Sequence, residues 1–366
     1  MIRIPNNVQE LRPYKPGKAN NDVLKVNEGQ HLSVLCSNEN NFGPSPLAKK
    51  AIVEAMDDLY LYPDPTGIDL RIALAERLGI KSENILLGNG SDGILYTLFN
   101  AFFDEGQSIL TSKNTFVSLN AMAQMNRIPM MTVPMKEGYQ FDLDLIFASI
   151  HNHTKVIYLC NPNNPTGTVI PEEELVAFIK KVPDRILIVI DEAYCEFAES
   201  MDQNYANTLR WKFDNVVTLR TFSKAYGLAG VRLGYAIGAQ AMIEALYKVK
   251  LTFNPNNLAQ AAGLAALQDK AHLNLTIENN KEWMGKFIAA FKSKNLNYIP
   301  SYTNFIMLDL GSEKDAKSFN DYMAQNHVLV RQLTSFGLPH CVRISIGTPK
   351  DNALFLEVLS KMHSTV

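Results

Sequence analysis

Long apolar runs are missing from this chain of 366 residues; the longest, such as Ile186 to Ile190, stop far short of the roughly 20 residues that cross a bilayer. The opening stretch, MIRIPNNVQELRPYK, has no apolar core of the kind a secretion signal needs, so the expected location is the cytoplasm, with no membrane partner. Charge of one sign is lacking as well. The 35 basic and 37 acidic residues are interspersed and sum to a net −2, which offers no basic face for a nucleic acid. Cysteine is scarce: Cys36, Cys160, Cys195 and Cys341 show no C-x-x-C spacing, and no metal site is expected from them. The pair His151 and His153 lies in a polar stretch and reads as a solvated turn. Internal repeats and low-complexity segments are also absent.

What remains is an ordinary globular composition, with 46% hydrophobic and 20% charged residues over a length that suits two domains. Short β-branched runs alternate with helical patterns, as in a mostly parallel α/β sheet. The strands read as Asn84 to Leu87, Ser108 to Thr111, Lys155 to Cys160, Ile186 to Ile190, Val216 to Leu219 and Val231 to Ile237. From about residue 265 the pattern changes to a long helix, Leu273 to Lys294, then Phe305 to Leu310, another helix, Val328 to Val330 and Val342 to Ile346. The expected division is an arm over 1–35, a large domain over 36–264 and a smaller α+β domain over 265–366.

In open parallel sheets, ligands bind beyond the carboxyl ends of the strands, and four loops there are chemically unusual. Asp191–Glu192–Ala193–Tyr194 follows a fully apolar strand, where a lone charge is costly; the choices are a cap or salt bridge, or an anion set against a cationic ring nitrogen. Thr221–Phe222–Ser223–Lys224 continues through Gly227 and Gly230 to Arg232. It puts an amine among small and apolar neighbours, which favours the neutral nucleophile. Two hydroxyls and a guanidinium in the same loop suit one phosphate group. Gly88–Asn89–Gly90–Ser91–Asp92–Gly93 opens a helix, and no acid ends the next strand, so it reads as a phosphate-binding helix start rather than a nicotinamide site. In Asn161–Pro162–Asn163–Asn164–Pro165–Thr166–Gly167, two X-Pro turns hold out the Asn164 amide.

With these loops in this order, the sequence resembles the fold-type I pyridoxal-phosphate enzymes and, within them, the histidinol-phosphate aminotransferase family. The resemblance spans nearly the whole chain, through SNEN at Ser37 to Asn40, GPSP at Gly43 to Pro46, YPDP at Tyr62 to Pro65, GNGSD, NPNNPTG, DEAY, TFSKAYGLAGVRLGY and VRISIGT at Val342 to Thr348. It implies pyridoxal 5'-phosphate carried as a Schiff base on Lys224, with Asp191 on the ring nitrogen and Tyr194 and Asn164 on the phenolic oxygen. Phe116 would stack on the ring, while Ser91, Asp92, Thr221, Ser223 and Arg232 would take the phosphate. Tyr62 would reach that phosphate from the second subunit of a homodimer. Arg343 matches a carboxylate-binding arginine, and Tyr14 and Arg331 match residues that meet the substrate's own phosphate.

The implied reaction is ping-pong amino transfer between histidinol phosphate and 2-oxoglutarate. Three positions depart from the family pattern: Asn41 stands for Pro after NEN, Gly93 for an acid after GNGSD, and Lys248 to Thr252 for an arginine-and-proline stretch, with Lys250 as a stand-in for the arginine. The third falls near where the substrate side chain should sit and leaves aromatic amino acid transfer open, and threonine-phosphate decarboxylation is the rival from another reaction class.

Overall fold

The computed structural model describes residues 2–9, 11, 31–202, 204–208 and 213–362. Tyr14 lies outside them. After a short strand, Ser33–Val34 (β1), the chain builds a seven-stranded sheet from β2 (Ile85–Gly88), β3 (Ser108–Ser112), β4 (Met130–Val133), β5 (Thr154–Cys160), β6 (Leu187–Asp191), β7 (Val216–Thr221) and β8 (Gly234–Ile237). Their spatial order is β2-β8-β7-β6-β5-β3-β4. All neighbours pair in parallel except at β8, which runs against both β2 and β7. Helices cover the sheet, so Ile188, Val189 and Ile190 are fully buried, which is why these strands read as continuous apolar runs rather than alternating ones.

Reversal of β8 matters for the site. Its first residue, Gly234, pairs with Gly88 at the end of β2 and Thr221 at the end of β7. The residues just before β8, Arg232 among them, are thereby delivered to the same edge at which the parallel strands finish. The run expected to be one strand from Val231 is shorter than its composition suggests, because Ala229–Val231 forms a 3-10 turn and Arg232 adopts a left-handed conformation at φ 59°. Strand β4 was not legible as a run. It lies at the sheet edge with Met131 and Thr132 exposed, and half of its residues are methionine.

The C-terminal third forms an antiparallel sheet in the order β12-β13-β10-β9, from β9 (Asn297–Ile299), β10 (Phe305–Asp309), β12 (Arg331–Leu333) and β13 (Leu338–Ser345). The run Val328 to Val330 ends one residue early. Val328–Leu329 (β11) pairs in parallel with β1, and β12 turns into the antiparallel sheet. Phe287 and Phe291 from the long helix Lys270–Ser293, Phe319 from Glu313–Gln325 and Phe355 from Pro349–Lys361 fill the core beneath this sheet, all fully buried. The last helix starts on a capping box, Thr348 with Asp351, and Pro349 follows at its first position, where no N–H is needed. Asp351 also accepts from Asn41 Nδ2 at 3.1 Å and pairs with His31 at 2.9 Å. Asn41 therefore ties the N-terminal segment to the C-terminal helix.

Candidate active site

Strands β5, β6 and β7 end side by side, and their register sets what the following loops face. Asp191 closes β6 and is 3% exposed. Its Oδ2 accepts from the Tyr158 hydroxyl at 2.8 Å and its Oδ1 from the Ala193 amide at 3.1 Å. Burial pushes the carboxyl up to about 6 in spite of these two donors. Tyr194 is buried on the next turn, where its hydroxyl accepts from Asn38 Nδ2 at 3.0 Å. Burial raises its phenol, so it stays neutral.

Lys224 comes from the loop after β7. Its Nζ donates to the Asn38 carbonyl at 3.3 Å and lies 5.7 Å from the centre of the Tyr194 ring. Burial, helped by the positive charges of Arg343 and Arg232, brings its amine down to about 8 against the opposing pull of Glu39 and Asp92. A sizeable neutral fraction near physiological pH is what a carbonyl-attacking amine requires.

A cradle lies beside the lysine. The helix Gly90–Phe102 begins with Gly90 at φ 72°, and a Cβ there would stand 2.7 Å from Arg232 Nη2. A Cβ on Gly234 would meet the backbone of Gly90 and Ser91 at 2.9 Å, so the helix start can approach β8 this closely only through glycine. Thr221 Oγ1 lies 3.0 Å from Ser223 Oγ, and Arg232 Nη1 donates to the Ala229 carbonyl at 2.9 Å and reaches Ser223 Oγ at 3.5 Å. The Arg232 head stays half-exposed, 3.8 Å from Asp92 Oδ2. Burial raises the Asp92 carboxyl against the opposing charges of Arg232 and Lys224, and its Oδ1 has no hydrogen-bond partner among the described residues. Free N–H groups of a helix start, two hydroxyls and a guanidinium with donors to spare fit a phosphate monoester. The buried acid, the neutral phenol and the desolvated amine fit a cationic ring with an aldehyde. Phe116 packs against the main core just before the helix Ser118–Met125.

Residues 30–359 match the family model for class I and II aminotransferases. The chain belongs to this family. It is 40% identical over 351 residues to a histidinol-phosphate aminotransferase of Brevibacillus brevis, with 95% of each chain covered. Over 359 residues it is also 40% identical to one of Akkermansia muciniphila, with 97% of each covered. Among solved structures, the histidinol-phosphate aminotransferase of Sinorhizobium meliloti in complex with pyridoxal-5'-phosphate superposes with a TM-score of 0.88 at 29% identity, covering 99% of either chain.

In this aminotransferase the small sheet closes the other side of the crevice. Arg343 on β13 is buried; Nη1 donates to Asn164 Oδ1 at 2.5 Å and Nη2 to the Cys36 carbonyl at 3.0 Å. Its guanidinium lies 5.2 Å from the ring centre of Phe305 and 5.7 Å from that of Phe336. Sequence spacing sets Arg331 apart from Arg343 across a Gly-bearing loop, whereas the β12–β13 hairpin makes them direct cross-strand partners. Opposite residues of an antiparallel pair share a face, so both arginines start from adjacent positions. Lys250 donates to the Pro65 carbonyl at 2.8 Å. Tyr62 is 80% exposed and stacks on Phe253 with ring centres 4.3 Å apart. A cavity of about 540 Å³ borders Ser223, Glu39 and Asn41, but neither Lys224 nor Asp191 lines it, so it adjoins the site without being its centre.

Three participants escaped sequence reasoning. Asn38, buried at φ 57°, joins four groups: Tyr194 through its amide, Lys224 and Asn304 through its carbonyl, and Ser345 through its backbone N–H and its side chain. The SNEN motif marks the position without revealing the left-handed turn. Tyr158 reads as core within an apolar strand. Glu192, the second acid of DEAY, forms a buried pair with Arg220 at 2.7 Å and accepts from the Thr208 amide at 2.9 Å.

Proposed function

We propose that this aminotransferase transfers the amino group of histidinol phosphate to 2-oxoglutarate, with pyridoxal 5'-phosphate as cofactor, as a step of histidine biosynthesis. The observation that carries the reading is the convergence of the desolvated Lys224 amine, the buried Asp191 carboxyl and the Arg232 cradle at one sheet edge. Full-length relatives bearing the histidinol-phosphate name support the choice of donor.

When bound, the cofactor supplies an aldehyde that holds the substrate nitrogen and a cationic ring that takes up the electrons released at the α-carbon. Lys224 would anchor it through Nζ and would serve as the base that takes the proton from the substrate α-carbon. Asp191 would keep the ring nitrogen protonated, Tyr194 and Asn164 would bond the ring oxygen, and Phe116 would stack on the ring. Ser91, Asp92, Thr221, Ser223 and Arg232 would hold the phosphate together with Tyr62 of the partner subunit. Arg343 takes the carboxylate of the 2-oxo acid. Histidinol phosphate has none, so its own phosphate falls to Arg331 and Tyr14.

The active form is a homodimer. Leu59, Tyr60, Leu61 and Tyr62 are all more than half exposed, and Leu251 and Phe253 add to the same surface. Asn257 bonds the carbonyls of Asp58 and Leu61, which holds the two segments together as one apolar patch of the sort that marks an interface. The arm, large domain and small domain divide near residues 35 and 264, and the enzyme works in the cytoplasm.

Histidinol phosphate added to the cofactor-loaded protein without any 2-oxo acid should change the visible cofactor band and release one keto product per site. Carbon dioxide released from threonine phosphate, with no reaction of histidinol phosphate, would replace this reading with the decarboxylase.

A further inference from the structure

We propose that Tyr158 is a positioning residue for the reaction, its hydroxyl fixing the orientation of Asp191 and holding that carboxylate ionised against the cofactor's ring nitrogen. The inference rests on the pyridoxal-phosphate reading above. Tyr158 is fully buried in β5, and the parallel register sets it opposite Val189, two residues before Asp191, so phenol and carboxyl share one face of the sheet one step apart. The resulting 2.8 Å bond to Oδ2 leaves Oδ1 to the Ala193 amide. Tyr158 is the one side chain that donates to Asp191 among the described residues.

The groups facing Asp191 make that donor consequential. Asp92 at the start of the helix Gly90–Phe102 and Glu192 beside it both disfavour a further negative charge. Cys160 on β5 and the Tyr194 phenol are raised by burial and stay neutral. Glu192 is in turn held by Arg220. Against this surrounding, only the Tyr158 hydroxyl and the Ala193 amide stabilise the anion directly among the described residues. Burial and the neighbouring carboxylate push the Tyr158 phenol itself well up, so it acts as a neutral donor throughout the working pH range.

The test measures pyridoxal 5'-phosphate affinity against pH in the full-length Lys224→Ala protein, where the anchoring amine no longer titrates. Below the pH at which Asp191 takes up a proton, its attraction for the cationic ring is lost and affinity falls. Adding Tyr158→Phe should move that acid limb upward by about one pH unit, equivalent to a tenfold change in the proton affinity of the carboxyl. Placing 3-fluorotyrosine, a stronger donor of nearly the same shape, at position 158 should move it downward. The fluorinated protein decides the matter if the Phe variant does not fold. A loss of affinity equal at every pH, or an unmoved limb in the fluorinated protein, would reduce Tyr158 to a packing residue and overturn the inference. Failure of the wild-type protein, with Lys224 intact, to bind pyridoxal 5'-phosphate at any pH would instead overturn the pyridoxal-phosphate reading on which it rests.

Discussion

Replacing Asp191 by Asn should make the cofactor-free protein more stable at neutral pH while removing most of its turnover. Asp191 is 3% exposed, and burial raises its carboxyl from an ordinary 3.8 to about 6. Because the folded chain binds this proton more tightly than the unfolded one, the associated stability is fully present below about pH 4 and lost as pH rises through about 6. At 1.36 kcal/mol per pH unit, holding the ionised carboxylate at pH 7.5 costs on the order of 3 kcal/mol. Asparagine carries no such cost. Its Oδ1 can still accept from Tyr158, but its NH₂ then faces the Ala193 amide in place of an acceptor, which returns about 1 kcal/mol. The expected gain is therefore roughly 1–3 kcal/mol at pH 7.5. Urea unfolding of both proteins, freed of cofactor, reads it as a higher midpoint with an unchanged slope. At pH 4 the gap should close or reverse by up to about 1 kcal/mol. A variant less stable than wild type at pH 7.5, or a gap independent of pH, would refute the idea that Asp191 is held ionised at the expense of the fold. Its loss from turnover follows from the same charge, since a neutral partner cannot keep the ring nitrogen protonated.

Lys224→Ala should retain no cofactor after borohydride reduction and should not turn over; label found on another lysine after peptide mapping would move the anchor. Mixing Lys224→Ala with Tyr62→Phe should restore activity after subunit exchange, because one of the two sites in the heterodimer is then intact, whereas no recovery would assign Tyr62 to its own subunit's site. Arg331→Ala should lower kcat/KM for histidinol phosphate about ten- to a hundredfold, the equivalent of a lost charge-assisted hydrogen bond of roughly 1.5–3 kcal/mol, and affect an uncharged aromatic donor much less. Arg343→Ala should impair the 2-oxo acid half-reaction for every donor. Since the two arginines are assigned different anions in different half-reactions, the double variant should show both losses, each on its own substrate, whereas coupling of the two within one half-reaction would argue that this cross-strand pair shares a single anion.

The chemistry-bearing loops were legible because each directly follows a buried strand: Asp191 after Ile186 to Ile190, Lys224 after β7, and Ser91 after β2. An anion, an amine and a glycine-led helix start at such ends have few structural alternatives. Contacts that depend on register were not legible. Nothing in the run KVIYLC distinguishes Tyr158 from a core aromatic until β5 is laid beside β6. The same holds for Arg331 and Arg343, whose spacing is silent about the hairpin that opposes them. Asn38 needed its backbone conformation, and β4 needed its place at the sheet edge, where exposure removes the apolar signature. Tyr62 is a different case, since its proposed role is completed only by a second chain.

The most direct test of amino transfer from histidinol phosphate is glutamate formation from 2-oxoglutarate by the purified, cofactor-loaded protein across a panel of histidinol phosphate, phenylalanine, tyrosine and threonine phosphate. Histidinol phosphate should give the highest kcat/KM. Preference for phenylalanine or tyrosine would contradict the assignment and identify an aromatic aminotransferase built on the same site.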